Sequence, residues 1–218
     1  MHWRDPRVAR KHNCRAGIAL SAAGLRCQFR SALGAFSWVI SKRSMRILLY
    51  GFGPYRPFSD NITARIIESL PAQSGLKKVI FPVRFNRRQF VDALGRHKPD
   101  VVLGLGQSSR KQIDVEMRAK NRRRARKSDR PRPILATRPQ SLPTTLDIRA
   151  GQLAKKSTNA GDYVCNYSIY VMLDEIIRRE MRIPLGFIHI PHDYDAQKAR
   201  QFVLNVLQRC VGSRQNRR

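Results

Sequence analysis

The chain has 218 residues and 42% hydrophobic content, enough for one α/β domain with a sizeable core. Lys and Arg number 43 against 15 Asp and Glu, a net charge of +28 that speaks to polyanion attraction and not to fold. No run of 18 or more apolar residues occurs, so no membrane-spanning helix is predicted.

Residues 1–44 hold nine Lys and Arg and one acid, Asp5, with Ser and Ala between them. Such a composition fits an organelle-targeting segment, or translation upstream of the functional start. Met45 is the expected start, because Arg46-Ile47-Leu48-Leu49-Tyr50-Gly51 begins a buried strand at once. The stretch 16–40 is apolar enough for a helix but lacks a signal-peptide layout. From Met45 the chain alternates. Strands are predicted at 46–50, 78–82, 100–105 and 185–190, helices at 61–70, 86–97, 165–179 and 196–210. In the second helix Phe90, Val91 and Leu94 share one face, and Pro99 stops it. Continuously apolar strands alternating with helices predict an α/β fold: a three-layer α/β/α sandwich on a mostly parallel central sheet, hydrolase-like or phosphorylase-like. Residues 45–218 form the single predicted domain. Residues 118–143, rich in Arg and Pro, read as a long surface loop.

The four cysteines, Cys14, Cys27, Cys165 and Cys210, match neither a CxxC metal pattern nor a disulfide framework. That suits a reducing compartment, and Cys210 reads as a small buried apolar residue. Cys165 differs. In Asn159-Ala160-Gly161-Asp162-Tyr163-Val164-Cys165-Asn166-Tyr167 it lies where an irregular stretch runs into an amphipathic segment. A helix start favours thiolate over thiol. The strand Gly186-Phe187-Ile188-His189-Ile190-Pro191 carries an embedded histidine. His189 is the preferred base, His192 the reserve, and His97 reads as a surface residue. The orienting acid is Glu116 or its neighbour Asp114. Sites in open α/β sheets lie beyond the carboxyl ends of strands, here 51–58, 83–85, 106–110 and 191–193.

These stretches resemble, in order, the motifs of pyroglutamyl peptidase type I, the pyrrolidone-carboxylate peptidases. Gly51-Phe52-Gly53-Pro54-Tyr55 resembles the family's Gly-Phe-x-Pro-Phe motif, with Asn61 at the place of its downstream Asn. Gly104-Leu105-Gly106 resembles its glycine loop, and Glu116-Met117-Arg118-Ala119-Lys120-Asn121 its Glu-Arg-x-Ala-x-Asn box. Gly161–Tyr167 and Gly186–Pro191 resemble its cysteine and histidine boxes, the two most specific signals. The resemblance implies a triad of Cys165 as nucleophile, His189 as general base and acid, and Glu116 as orienter. It implies removal of N-terminal pyroglutamate from peptides without metal or cofactor. Phe52, Tyr55 and Tyr163 fall at the family's aromatic pocket positions, and Arg126 aligns with an arginine near its site. Flat apolar faces suit an uncharged lactam and reject a charged α-amine through desolvation.

The chain departs from the family in three places. Lys127-Ser128-Asp129-Arg130 replaces an Ile-Pro-Asp-Asn stretch, and Arg56-Pro57 and Ile62 replace a glycine pair and a proline. The approach to the cysteine is short, and Ala154-Lys155-Lys156-Ser157-Thr158 makes a poor central strand. The departures bear on substrate preference more than on reaction type. A same-fold amidase with shifted acyl specificity, or a basic nucleic-acid-associated protein on an inherited fold, are the competing readings. The run 118–127 holds seven positive charges, no acid and no aromatic for stacking, so weak polyanion binding is the most it predicts. A cytoplasmic location is expected, with organelle targeting by residues 1–44 as the alternative. The family resemblance implies homo-oligomers, tetramers included, and no membrane partner.

Overall fold

The computed structural model describes residues 44–212. Apart from Ser44, the expected N-terminal extension, with Cys14, Cys27 and the stretch 16–40, lies outside the described residues. In chain order the elements are β1 (Ile47–Phe52), α1 (Ile62–Ser69), β2 (Leu76–Phe81), α2 (Arg87–His97), β3 (Val101–Ser108), β4 (Ile113–Glu116), β5 (Arg118–Lys120), β6 (Ser141–Pro143), β7 (Ala154–Ser157), α3 (Val164–Arg178), β8 (Leu185–Pro191) and α4 (Ala196–Gly212). Six strands form one sheet in the order β2-β1-β3-β8-β4-β7, and β5 pairs β6 separately. β2, β1, β3 and β8 are mutually parallel. β4 runs antiparallel to β8 and parallel to β7.

The two-residue period of each strand sorts its side chains between two cores. Leu48, Tyr50 and Phe52 of β1 join Val102, Leu185 and Phe187 against α2 and α3. The intervening Ile47 and Leu49 join Leu103, Leu105, Ile113, Val115, Ile188 and Ile190 against α1 and α4. Two apolar faces covered by helices make the three-layer sandwich. The phase matters for chemistry. His189 follows Phe187 by two residues, and Asp114 and Glu116 alternate with Ile113 and Val115. All three polar side chains therefore take the α3 side of the sheet.

Helix boundaries follow local chemistry. The Asn61 side chain caps α1 by accepting from Thr63 N at 3.0 Å, and Asn86 caps α2 by accepting from Arg88 N at 3.0 Å. α2 ends on Lys98 at φ 42°, whose N–H returns to Leu94 O, before Pro99.

One expectation is corrected and two further strands come into view. The segment 118–143 is not a plain loop: β5 and β6 close its two ends, and Asn121 holds its middle by accepting from Ile134 N at 2.8 Å and Leu135 N at 3.0 Å. Ala154–Ser157 does form a strand, at the sheet edge, where exposed lysines are tolerated and deter further pairing. β4, read only as apolar sequence around an acid, is a buried strand inside the sheet.

Candidate active site

Cys165 is the second residue of α3, half-buried and a free thiol. Tyr163, the N-cap, makes no side-chain capping bond, so no cap competes for the amides of the first turn. Gly161, at φ 79°, gives the preceding chain its turn, a conformation that side-chain-bearing residues avoid. Two neighbours fix the sulfur's backbone. Ser168 Oγ donates to Cys165 O at 2.8 Å and meets Tyr50 Oη at 3.1 Å. Asn166 is fully buried: its Oδ1 accepts from Lys120 N, and its Nδ2 donates to Lys120 O and Arg122 O, each at 2.8 Å. The start of α3 is thereby stitched to β5.

His189 stands beside the sulfur, and the sheet backbone makes room for both. A Cβ on Gly106 of β3 would lie 2.8 Å from Cys165 Sγ, 2.8 Å from His189 Cδ2 and 2.7 Å from Phe187 Cζ. Only glycine fits there. The His189 ring faces the sulfur of Cys165 on one side. On the other, Nδ1 lies 2.7 Å from Glu116 Oε1. Burial works against a charged ring. The hydrogen bond and charge of Cys165, followed by those of Glu116, outweigh it and push His189 up to about 9. Burial likewise opposes an ionised Glu116, yet the His189 hydrogen bond and charge, with Ser157 and Arg110, hold it below the usual carboxylate range. An imidazolium between a carboxylate and a sulfur is the setting in which the sulfur attacks as thiolate.

Behind the relay sits Arg110. Its Nη1 donates to Glu116 Oε1 at 2.9 Å, Asp114 Oδ2 at 2.5 Å and Ser157 Oγ at 3.2 Å, and its Nη2 donates to Asn159 O. Asp114 and Glu116 are both fully buried, and one guanidinium bridges the pair while tying β4 and β7 to the turn before Cys165. Between the rival acids the geometry selects Glu116; Asp114 serves Arg110 and, at 3.8 Å, Lys155.

The mouth is aromatic. Tyr163, 41% exposed, packs on Phe85 with centroids 5.5 Å apart and on Tyr55 at 6.4 Å. Burial and then a charge on Cys165 raise the Tyr55 phenol, which places that ring in the sulfur's field. Arg123 caps the other side of Phe85 at 5.4 Å. Gln107 accepts from Ile62 N at 3.0 Å, while its buried Nε2, without a hydrogen bond among the described residues, faces the Tyr55 phenol.

A pyroglutamyl peptidase family profile matches residues 45–200. The chain belongs to the pyroglutamyl peptidase family. A pyrrolidone-carboxylate peptidase of Bacillus velezensis is 32% identical over 168 residues, covering 67% of this chain and 78% of the relative. Pyrrolidone-carboxylate peptidase 1 of Saccharolobus solfataricus is 29% identical over 168 residues, covering 67% and 79%. Two solved structures share the fold. The pyrrolidone carboxyl peptidase of Thermococcus litoralis superposes with TM-score 0.71 at 22% identity, over 80% of this chain and 96% of that one. A mutant pyrrolidone carboxyl peptidase of Pyrococcus furiosus gives 0.68 at 24%, over 75% and 97%.

Against that family pattern, Cys165, His189 and Glu116 come together, and Tyr55 and Tyr163 sit at the mouth. Three other residues serve from a distance. Phe52 is 2% exposed and packs edge-on against Tyr50 and Phe90, so it supports the wall from the core. Asn61 spends its side chain on Gly53 O, Thr63 N and Thr63 Oγ1, fixing the turn that carries Tyr55. Arg126 stands exposed with its backbone bonded to Asp129; the arginine that touches the relay is Arg110. His192, the reserve base, is partly exposed beside Phe58, with Nδ1 3.4 Å from Ser108 O. Sequence reasoning named none of Arg110, Phe85, Gln107 and Asn166 singly, although the first three lie in the segments 83–85 and 106–110 expected to meet at the site. Asn166 and Gln107 carried a usable signal, being polar residues within apolar runs. Arg110 carried none among so many arginines.

Two recesses, of about 160 and about 790 Å³, open beside α4 and include none of these residues. Among the described residues no helix is long and apolar enough to cross a membrane.

Proposed function

We propose that this protein is a cysteine exopeptidase that removes N-terminal pyroglutamate from peptides, with Cys165 as nucleophile, His189 as acid and base, and Glu116 as orienter. The line from Cys165 through His189 to Glu116, with the sulfur beside the ring and 2.7 Å between His189 Nδ1 and Glu116 Oε1, carries this reading. Glu116 accepts from Nδ1–H and leaves the other ring nitrogen to the sulfur. The thiolate attacks the pyroglutamyl carbonyl, and the negative charge on its oxygen meets the amides of the first turn of α3. His189 gives its proton to the leaving amine, which departs as a free peptide. Water then attacks the thioester, His189 takes the water's proton, and pyroglutamate leaves as Cys165 regains its charge. Tyr55, Phe85 and Tyr163 offer flat faces to the lactam ring, and the unpaired Nε2 of Gln107 offers a donor to a polar group beside it.

A free thiolate nucleophile works in a reducing compartment, which makes the cytoplasm the location that fits. The test is hydrolysis of a fluorogenic pyroglutamyl amide. The chain turns it over, iodoacetamide abolishes turnover, and Cys165→Ala lowers kcat at least about 10³-fold. Full activity in Cys165→Ala sinks the assignment.

A further inference from the structure

We infer that this peptidase prefers pyroglutamyl peptides with acidic residues beyond the scissile bond, and that segment 118–132 sets the preference. The inference rests on the peptidase reading above and names its substrate class.

The described residues carry 31 Lys and Arg against 14 Asp and Glu; within 118–132 the count is nine against one. Fifteen residues thus hold nearly half of the net positive charge. That concentration lies beside the nucleophile. Asn166, next to Cys165, binds the backbone of Lys120 and Arg122. Arg124 N donates to Asp162 O at 2.9 Å and its Nε pairs with Asp162 Oδ2 at 2.7 Å, while Arg122 reaches Asn159 Oδ1 at 3.4 Å. The turn leading to Cys165 is therefore lined by this segment, and its one acid, Asp162, is already paired. Arg118, Arg126, Lys127, Arg130 and Arg132 are exposed, and no acid among the described residues forms an ion pair with them.

Substrate chemistry says where such charge can act. Pyroglutamate is a neutral lactam with no residue before it, so the substrate extends, and carries charge, only on the leaving-group side. At about 3.3 Å per extended residue, the first two or three residues beyond the bond stay within a Debye length of the mouth. A dense positive field there raises the local concentration of acidic peptides and repels basic ones. A single-stranded nucleic acid is the other polyanion of this kind. It grips through bases stacked on open aromatics in the basic surface. Here Phe85 and Tyr167 lie under Arg123, and Tyr163 packs into the mouth against Tyr55. The acidic peptide is favoured.

The experiment measures kcat/KM of the full chain on pGlu-Glu-Glu, pGlu-Ala-Ala and pGlu-Lys-Lys amides. Near 10 mM salt the acidic peptide is preferred over the basic one by on the order of tenfold, and the ratio falls toward one near 1 M. In Lys127→Glu/Arg130→Glu/Arg132→Glu the ratio drops to one or inverts. Turnover of all three without charge preference overturns this inference and leaves the peptidase reading standing. No turnover of any pyroglutamyl substrate overturns both. A wild-type preference that the triple variant retains assigns it elsewhere and overturns the role of 118–132. Salt-sensitive retention of a single-stranded DNA oligonucleotide with no preference among the peptides gives the patch to nucleic acid and overturns the inference.

Discussion

Glu116 is one of two groups that set the charge of His189. With Cys165, the larger influence, it keeps a proton on the ring in a buried place that disfavours charge, and His189, then Ser157 and Arg110, keep Glu116 itself ionised. The ring stays an acid until about pH 9, so the proton needed by the leaving amine is present through neutral pH and is lost above that value. The apparent limb belongs to the coupled Cys165–His189 pair, not to either residue alone. Glu116→Gln keeps the shape and removes the charge. One raising influence on His189 goes, so the alkaline limb of kcat/KM moves to lower pH, and its plateau falls by about 10²–10⁴-fold. A pH profile on a neutral pyroglutamyl amide reads both. An unmoved limb shows that Glu116 orients the ring without holding its charge. The sequence narrowed the acid to two residues of like spacing. Residue pattern alone left both open and the family resemblance chose Glu116: the two acids share one strand face and both reach Arg110, and it is Glu116 that reaches His189.

At the scale of elements, α2 and α3 are tied by one buried carboxylate. Glu175, 1% exposed, meets Arg87 at 2.5 Å across the helix pair and Arg178 and Arg179 at 2.7 and 2.5 Å on its own helix. Burial alone would raise it; Arg178, Arg179 and Arg87 together lower it. A lowered folded value means stability that is present above the unfolded carboxylate range and lost as pH falls through the folded value. Glu175→Gln therefore costs about 1–2 kcal/mol at pH 7, below the figure for a wholly buried pair because the arginines are half-exposed. The variant also loses less stability than the parent between pH 5 and pH 3. Urea midpoints at those pH values test it; parallel acid slopes would falsify the role of Glu175. Elements of this kind were legible where pattern was strong. β1, β3 and β8 are apolar on both faces, and α1 and α2 start on asparagines. β4 and β7 were obscure because β4 holds Asp114 and Glu116 at alternate positions and β7 holds the consecutive lysines Lys155 and Lys156. Those charges are satisfied by Arg110 across the turn before β4 and by His189 far along the chain, or by an edge position, and the pattern of the strand alone shows none of these. β5 and β6 were obscured by their three-residue length and by the Asn166 side chain that helps hold them.

Over the whole molecule, repulsion competes with these local pairs. The full chain carries +28, and the described residues alone have more than twice as many basic as acidic side chains. The short pairs are few and partly buried, as at Arg110 and Glu175, and salt weakens such contacts little. Most cations without an ion pair among the described residues are exposed, and their mutual repulsion falls as the Debye length shrinks from about 30 Å at 0.01 M to about 3 Å at 1 M. Net repulsion destabilises the compact state, so screening it stabilises the fold. Sodium chloride added over that range should raise the thermal midpoint by several degrees, about 2–4 °C for each kcal/mol recovered in a domain of this size. Chloride is the salt to use, since sulfate strengthens apolar burial by exclusion and blurs the reading. The same titration separates two uses of charge. If the midpoint rises while the preference for acidic peptides collapses, the fold tolerates the basic surface for the sake of substrate capture. If the midpoint falls with salt, ion pairs outweigh repulsion and the surplus of arginine is part of what holds the domain together.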